Sequence, residues 1–93
     1  MRMDALQGFR QELDAVDEEL VRLVARRLQV CDRVAQWKRE NGVPMMQPQR
    51  VEQVKRRCAE LGAAQGLERA FVEALYTLII DEACRREERI IDG

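Results

Sequence analysis

The chain has 93 residues, 35% of them charged, and its 16 Lys and Arg against 17 Asp and Glu leave a net charge of -1. That balance argues against a general nucleic-acid binder, which carries a basic excess. No apolar run is long enough to span a bilayer. The length fits one domain over residues 1–93, and the absence of histidine excludes triads that need it.

The first predicted element runs from Ala5 to Asn41, without proline and with Gly8 as its one glycine. Leu6, Phe9, Leu13, Val16, Leu20, Leu23, Arg27, Val30, Val34 and Trp37 recur at alternating steps of three and four. That is a heptad seam, sustained over more than four repeats. A helix of about 37 residues is about 55 Å long, far more than a domain of this size needs to span itself. Its seam therefore calls for a second copy, most simply in a symmetric dimer. Arg27 alone interrupts the apolar run. A buried guanidinium needs an anion, either an anionic ligand or a structural carboxylate such as Asp14 or Asp17 of a neighbouring helix.

Asn41-Gly42 is a helix stop, and the connection from Val43 to Gln47 leads to Pro48, suited to a first helical turn. The second helix is expected over about Gln49 to Ala64, with the stripe Val51, Val54, Cys58, Leu61, and stops at Gln65-Gly66. The third is expected from near Glu68 to about Ile91, with the stripe Val72, Leu75, Ile79, Ala83, then Glu87 and Ile90. No segment alternates as a strand does. The fold class is all-α, three helices, one long, one medium and one fairly long. Cys31, Cys58 and Cys84 are too scattered for a disulfide framework and read as small hydrophobes of a reducing, cytoplasmic compartment. Asp4 and Gln7 break any signal-peptide pattern, and a structural zinc site lacks its donors.

The candidate groups are mostly cations. Lys38 follows Arg27 by about three turns, or about 16 Å, and Arg10 precedes it by about 25 Å. Arg10 reaches a ligand held by Arg27 only from a second, antiparallel copy. Arg10 and Lys38 lie beside the seam, where long side chains commonly snorkel to water. Arg50 opens the second helix, where the dipole offers a cation nothing. Glu87 on an apolar stripe either has a raised pKa or pairs with Arg86 or another neighbour; Glu88 falls on the polar face. Together these groups suit a small dianion and a reaction driven by shape and electrostatics, with no nucleophile–base pair in sight.

The run from Phe9 to Leu20, then Leu23 to Arg27, Val34, Lys38, Pro44, Pro48-Gln49-Arg50, Gly66-Leu67 and Leu78 to Glu82, resembles the all-helical class II chorismate mutases over nearly the whole chain. The resemblance implies an intertwined homodimer with two sites between subunits, cytoplasmic, converting chorismate to prephenate by a cofactor-free pericyclic rearrangement. It implies that Arg10, contributed across the interface, and Arg27 bind the two substrate carboxylates. Lys38 would bind a carboxylate and the ether oxygen, Arg50 would support the carboxylate end, and Glu87 would hydrogen-bond the ether oxygen. Four positions depart from the family pattern. Glu87 stands where glutamine is common and glutamate occurs in some members, and it must be protonated to donate. Val51 replaces the glutamate that usually holds the ring hydroxyl, Gln47 stands where aspartate is common, and Ala83 where serine is common. Two related activities share the fold. Isochorismate–pyruvate lyases have a run similar to Pro48 to Val51. Aminodeoxychorismate mutases rank lowest, since an amine favours a carboxylate that Gln47 and Val51 do not offer. A helical dimerisation module without catalysis is the non-enzyme alternative. Arg27 discriminates, because a scaffold gains from an apolar residue there.

Overall fold

Residues 2–45 and 47–92 are described by the computed structural model, the side chains of Arg2 and Met3 excepted. Met46, in the first connection, lies outside the described residues. Three α-helices follow in order, α1 (Arg2–Asn41), α2 (Pro48–Ala64) and α3 (Arg69–Asp92), with no strand among the described residues. No helix is long and apolar enough to cross a membrane among those residues.

Both predicted stops are built as glycine caps. Gly42 has φ +66° and Gly66 φ +84°, left-handed values that a side chain disfavours. At the end of α1 the Val43 amide donates to the Lys38 carbonyl at 3.0 Å. At the end of α2 the Leu67 amide reaches the Gly62 carbonyl at 2.9 Å and the Gly66 amide reaches the Ala63 carbonyl at 3.1 Å. These are the two bonds of a Schellman cap. Pro48 is the first residue of α2, one earlier than the sequence suggested, and Gln47 caps the helix without a side-chain bond.

The chain comprises two compact units, Met1–Val30 and Cys31–Gly93. The first is the N-terminal part of α1. Phe9 and Leu13 are 62% and 60% exposed, and Leu6, Val16, Leu20 and Leu23 are exposed as well. The apolar seam predicted from the sequence is thus a bare stripe on this chain.

The second unit contains the end of α1, α2 and α3. Its buried positions are small: Ala35, Ala59, Gly62, Val72 and Ala83. Helices approach closely where side chains are small, and Gly62 marks the limit. A Cβ placed on it would lie 2.6 Å from Cγ2 of Val72. The buried line on α2 therefore runs through Ala59 and Gly62, and Leu61, expected on the stripe, is exposed. On α3 the expected Val72 and Ala83 are buried, while Leu75 is only partly covered. The end of α1 turns Cys31, Asp32, Ala35 and Lys38 inward, with Ala35 fully buried, and leaves Val34 and Trp37 exposed.

Candidate active site

Lys38 sits in the last turn of α1. The glycine stop at Gly42 reverses the chain just beyond it, so that the Met45 carbonyl accepts a hydrogen bond from Lys38 Nζ at 3.1 Å. On α3, Ala83 and Glu87 are one turn apart and share an inward face. Glu87 Oε1 lies 3.9 Å from Lys38 Nζ, and the two side chains are only 12% and 14% exposed. This is an ion-pair distance, but too long for a hydrogen bond. An oxygen atom set beside the line joining the two, about 2.8 Å from each, would be within hydrogen-bond reach of both.

Burial pushes the Glu87 carboxyl above the ordinary carboxylate range, and the nearby Lys38 cation offsets this only in part. Desolvation disfavours the charged form of an acid. Burial likewise raises the Cys84 thiol, with Glu87, Asp81 and Glu88 adding to the effect and Lys38 opposing it. Lys38 and Glu87 together offer a cation and a carboxyl group biased toward its protonated, donating form.

The remaining expected site residues fall into two groups. Val51 is half-buried on α2, and Ala83 is buried on α3. Gln47 and Arg50 are exposed at the start of α2, where Arg50 Nη1 donates to Gln53 Oε1 at 2.9 Å. They share an open depression of about 1100 Å³ with Gln53 and Arg56. The Gln47 carbonyl accepts from the Arg50 and Val51 amides at 3.0 and 3.3 Å, which fixes the first turn of α2. Arg10 and Arg27 belong to the other unit; Arg10 is exposed and Arg27 half-buried.

One arrangement was not foreseen. Arg86 does not turn to Glu87. It grips Asp32 of α1 with both ends of its guanidinium, Nε to Oδ1 at 3.0 Å and Nη2 to Oδ2 at 2.6 Å. Nearby, Arg39 Nη1 donates to the Ile90 carbonyl in the last turn of α3 at 3.1 Å. The available signal was Asp32 itself, an acid one helical turn before the buried Ala35.

Comparison with known proteins agrees with this architecture. The sequence model of the family described as Chorismate mutase type II matches residues 9–88. The chain is 46% identical over 86 residues to a 4-amino-4-deoxychorismate mutase of Streptomyces venezuelae, covering 92% of this chain and 84% of that protein. It is 43% identical over 88 residues to the protein of the same name from Streptomyces pristinaespiralis, covering 95% of this chain and 68% of the relative. A bifunctional chorismate mutase/prephenate dehydratase of Buchnera aphidicola is 25% identical over 88 residues, 95% of this chain but 24% of that longer protein. A family match over most of the length, on three helices that bring Lys38 against Glu87, has one reading: the chain belongs to the chorismate mutase type II family, and with it to the isomerases.

Proposed function

We propose that the chain catalyses the cofactor-free pericyclic rearrangement of a chorismate-type enolpyruvyl ether, with 4-amino-4-deoxychorismate as its substrate. The observation that carries the chemistry is the half-buried Lys38–Glu87 pair, set 3.9 Å apart. In this rearrangement the bond from ring carbon to ether oxygen breaks as a new carbon–carbon bond forms. Negative charge develops on the ether oxygen. Lys38 donates to it as a cation and Glu87 donates as a protonated carboxyl. Donors fixed where charge appears lower the barrier most, each being worth about 10²- to 10³-fold in rate.

By resemblance, Arg27 and the partner subunit's Arg10 take the two carboxylates, and Arg50 supports the same end. This requires a homodimer in which the α1 seams pair antiparallel. The exposed seam supports that reading, because large apolar stripes on one chain call for cover.

For the substrate, residue reasoning alone placed chorismate first and the amino analogue last. The two similar Streptomyces proteins, both named for the amino substrate, favour the reverse order. Val51 cannot accept a hydrogen bond from a ring hydroxyl, so the end of the site that would hold that hydroxyl is altered. The deciding experiment incubates the purified protein separately with chorismate, 4-amino-4-deoxychorismate and isochorismate. The expected result is a kcat/KM highest for the amino compound. Faster turnover of chorismate would restore the simple mutase. Salicylate and pyruvate from isochorismate would identify a lyase. No conversion of any of the three would leave a non-catalytic module.

A further inference from the structure

The Asp32–Arg86 pair links α1 and α3 by two hydrogen bonds, Nε and Nη2 of the guanidinium each meeting one carboxylate oxygen. Its place is the notable feature. Arg86 immediately precedes Glu87 on α3, and Asp32 lies on the face of α1 that also carries Ala35 and Lys38. Arg86 and Glu87 therefore both meet α1, one at Asp32 and the other at Lys38. Helical neighbours diverge by about 100°, so any rotation of α3 that releases Arg86 from Asp32 also turns Glu87 out of line with Lys38.

We infer that Asp32 is a positioning residue for the proposed reaction: by holding Arg86 at both carboxylate oxygens it fixes the rotation of α3 that sets Glu87 opposite Lys38, and it neutralises the cation next to Glu87. The inference rests on the role proposed for Glu87. The groups around that carboxyl are few. From α1 come Lys38 and, further off, Asp32. Glu87's own helix contributes Cys84, Asp81, Glu88 and Arg86. The face of α2 turned to α3 carries Val51, Lys55 and Cys58, and Lys55 opens beside Glu73 and Thr77, well before Glu87 along α3. Lys38 is thus the one cation in contact with Glu87 among the described residues. Released from Asp32, Arg86 would be a cation one residue from Glu87 on α3, free to swing toward that carboxyl. It would stabilise the carboxylate and deplete the protonated donor.

The test uses two single variants, whose shifts must have opposite signs. Asp32→Asn leaves Arg86 unpaired, and the alkaline limb of the kcat/KM profile should move to lower pH by about half a unit. Arg86→Met leaves Asp32 as an uncompensated anion, and the limb should move to higher pH. The double variant Asp32→Asn/Arg86→Met should bring the limb back near the wild-type position, with kcat still reduced because the tie between helices is gone. The carboxyl of Glu87, followed by carbon-13 NMR in side-chain-labelled protein, should show the same two shifts without any turnover. That measurement separates this inference from the proposed activity: a protein inactive on every substrate can still show them. Should Asp32→Asn fail to fold, the sign of the Arg86→Met shift alone decides. Limbs and NMR titrations that stay at the wild-type position, or shifts of the same sign in both variants, would overturn the inference.

Discussion

At the scale of single residues, the proposed chemistry rests most heavily on Glu87. Its folded-state pKa lies above the ordinary value because burial outweighs the attraction of Lys38. The folded protein thus holds this proton more tightly than the unfolded chain. Between the ordinary carboxylate pKa and the raised one, stability falls as pH rises. In the role proposed for Glu87, activity would follow the same direction for a different reason, since only the protonated carboxyl can donate to an ether oxygen. Wild-type kcat/KM should therefore fall as pH rises through the raised pKa. Glu87→Gln, which donates at any pH, should flatten that limb, as a pH–rate profile of the two proteins would record; a Gln variant with the wild-type limb removes Glu87 from the role. Reading the sequence singled out Glu87, since an acid on an apolar stripe is conspicuous. The partner of Arg86 escaped it. Asp32 and Arg86 are 54 positions apart, and nothing local in either neighbourhood specifies which helix face will meet which.

At the scale of elements, the ends of the helices were legible and the packed faces less so. Asn41-Gly42 and Gln65-Gly66 announce their caps because positive φ selects glycine, and the observed φ values bear this out. On α2 the pattern of large apolar residues pointed to Leu61, whereas burial falls on Ala59 and Gly62. Periodicity counts large side chains, but a close helix crossing is made of small ones. Gly62→Ala separates propensity from packing. In an isolated helix it would be favourable by about 1 kcal/mol. Here the new methyl meets Val72, itself 3% exposed, at 2.6 Å, and overpacking costs typically about 1–3 kcal/mol. Net destabilisation of up to about 2 kcal/mol is expected in urea unfolding, and relief when Val72→Ala is added. A midpoint raised by the full propensity gain of about 1 kcal/mol for Gly62→Ala would mean that the helices can part without cost.

At the scale of the molecule, the question is what covers α1. Leu13, Leu20 and their neighbours on the seam are exposed in one chain. If the proposed dimer forms, Leu20→Glu puts a charge into its apolar contact. Analytical ultracentrifugation at micromolar concentration should then show the wild type as a dimer and the variant shifted to monomer, with activity lost in parallel. A wild-type chain that sediments as a folded monomer would reject the dimer and, with it, the role given to the partner subunit's Arg10. The seam's existence was plain from the heptad spacing, because ten positions in register leave little room for accident. Which part of the chain would cover it was not, because periodicity specifies a face and not its occupant.

The end of α1 carries two neighbouring faces with separate duties. Asp32, Ala35 and Lys38 meet their own chain, while Val34 and Trp37 stay outside. Val34 and Trp37 can change without touching the Lys38–Glu87 pair of the same chain. If the proposed dimer forms, one short stretch of helix serves both the Lys38–Glu87 pair and the contact with a second copy, so a bend in the end of α1 would disturb both at once.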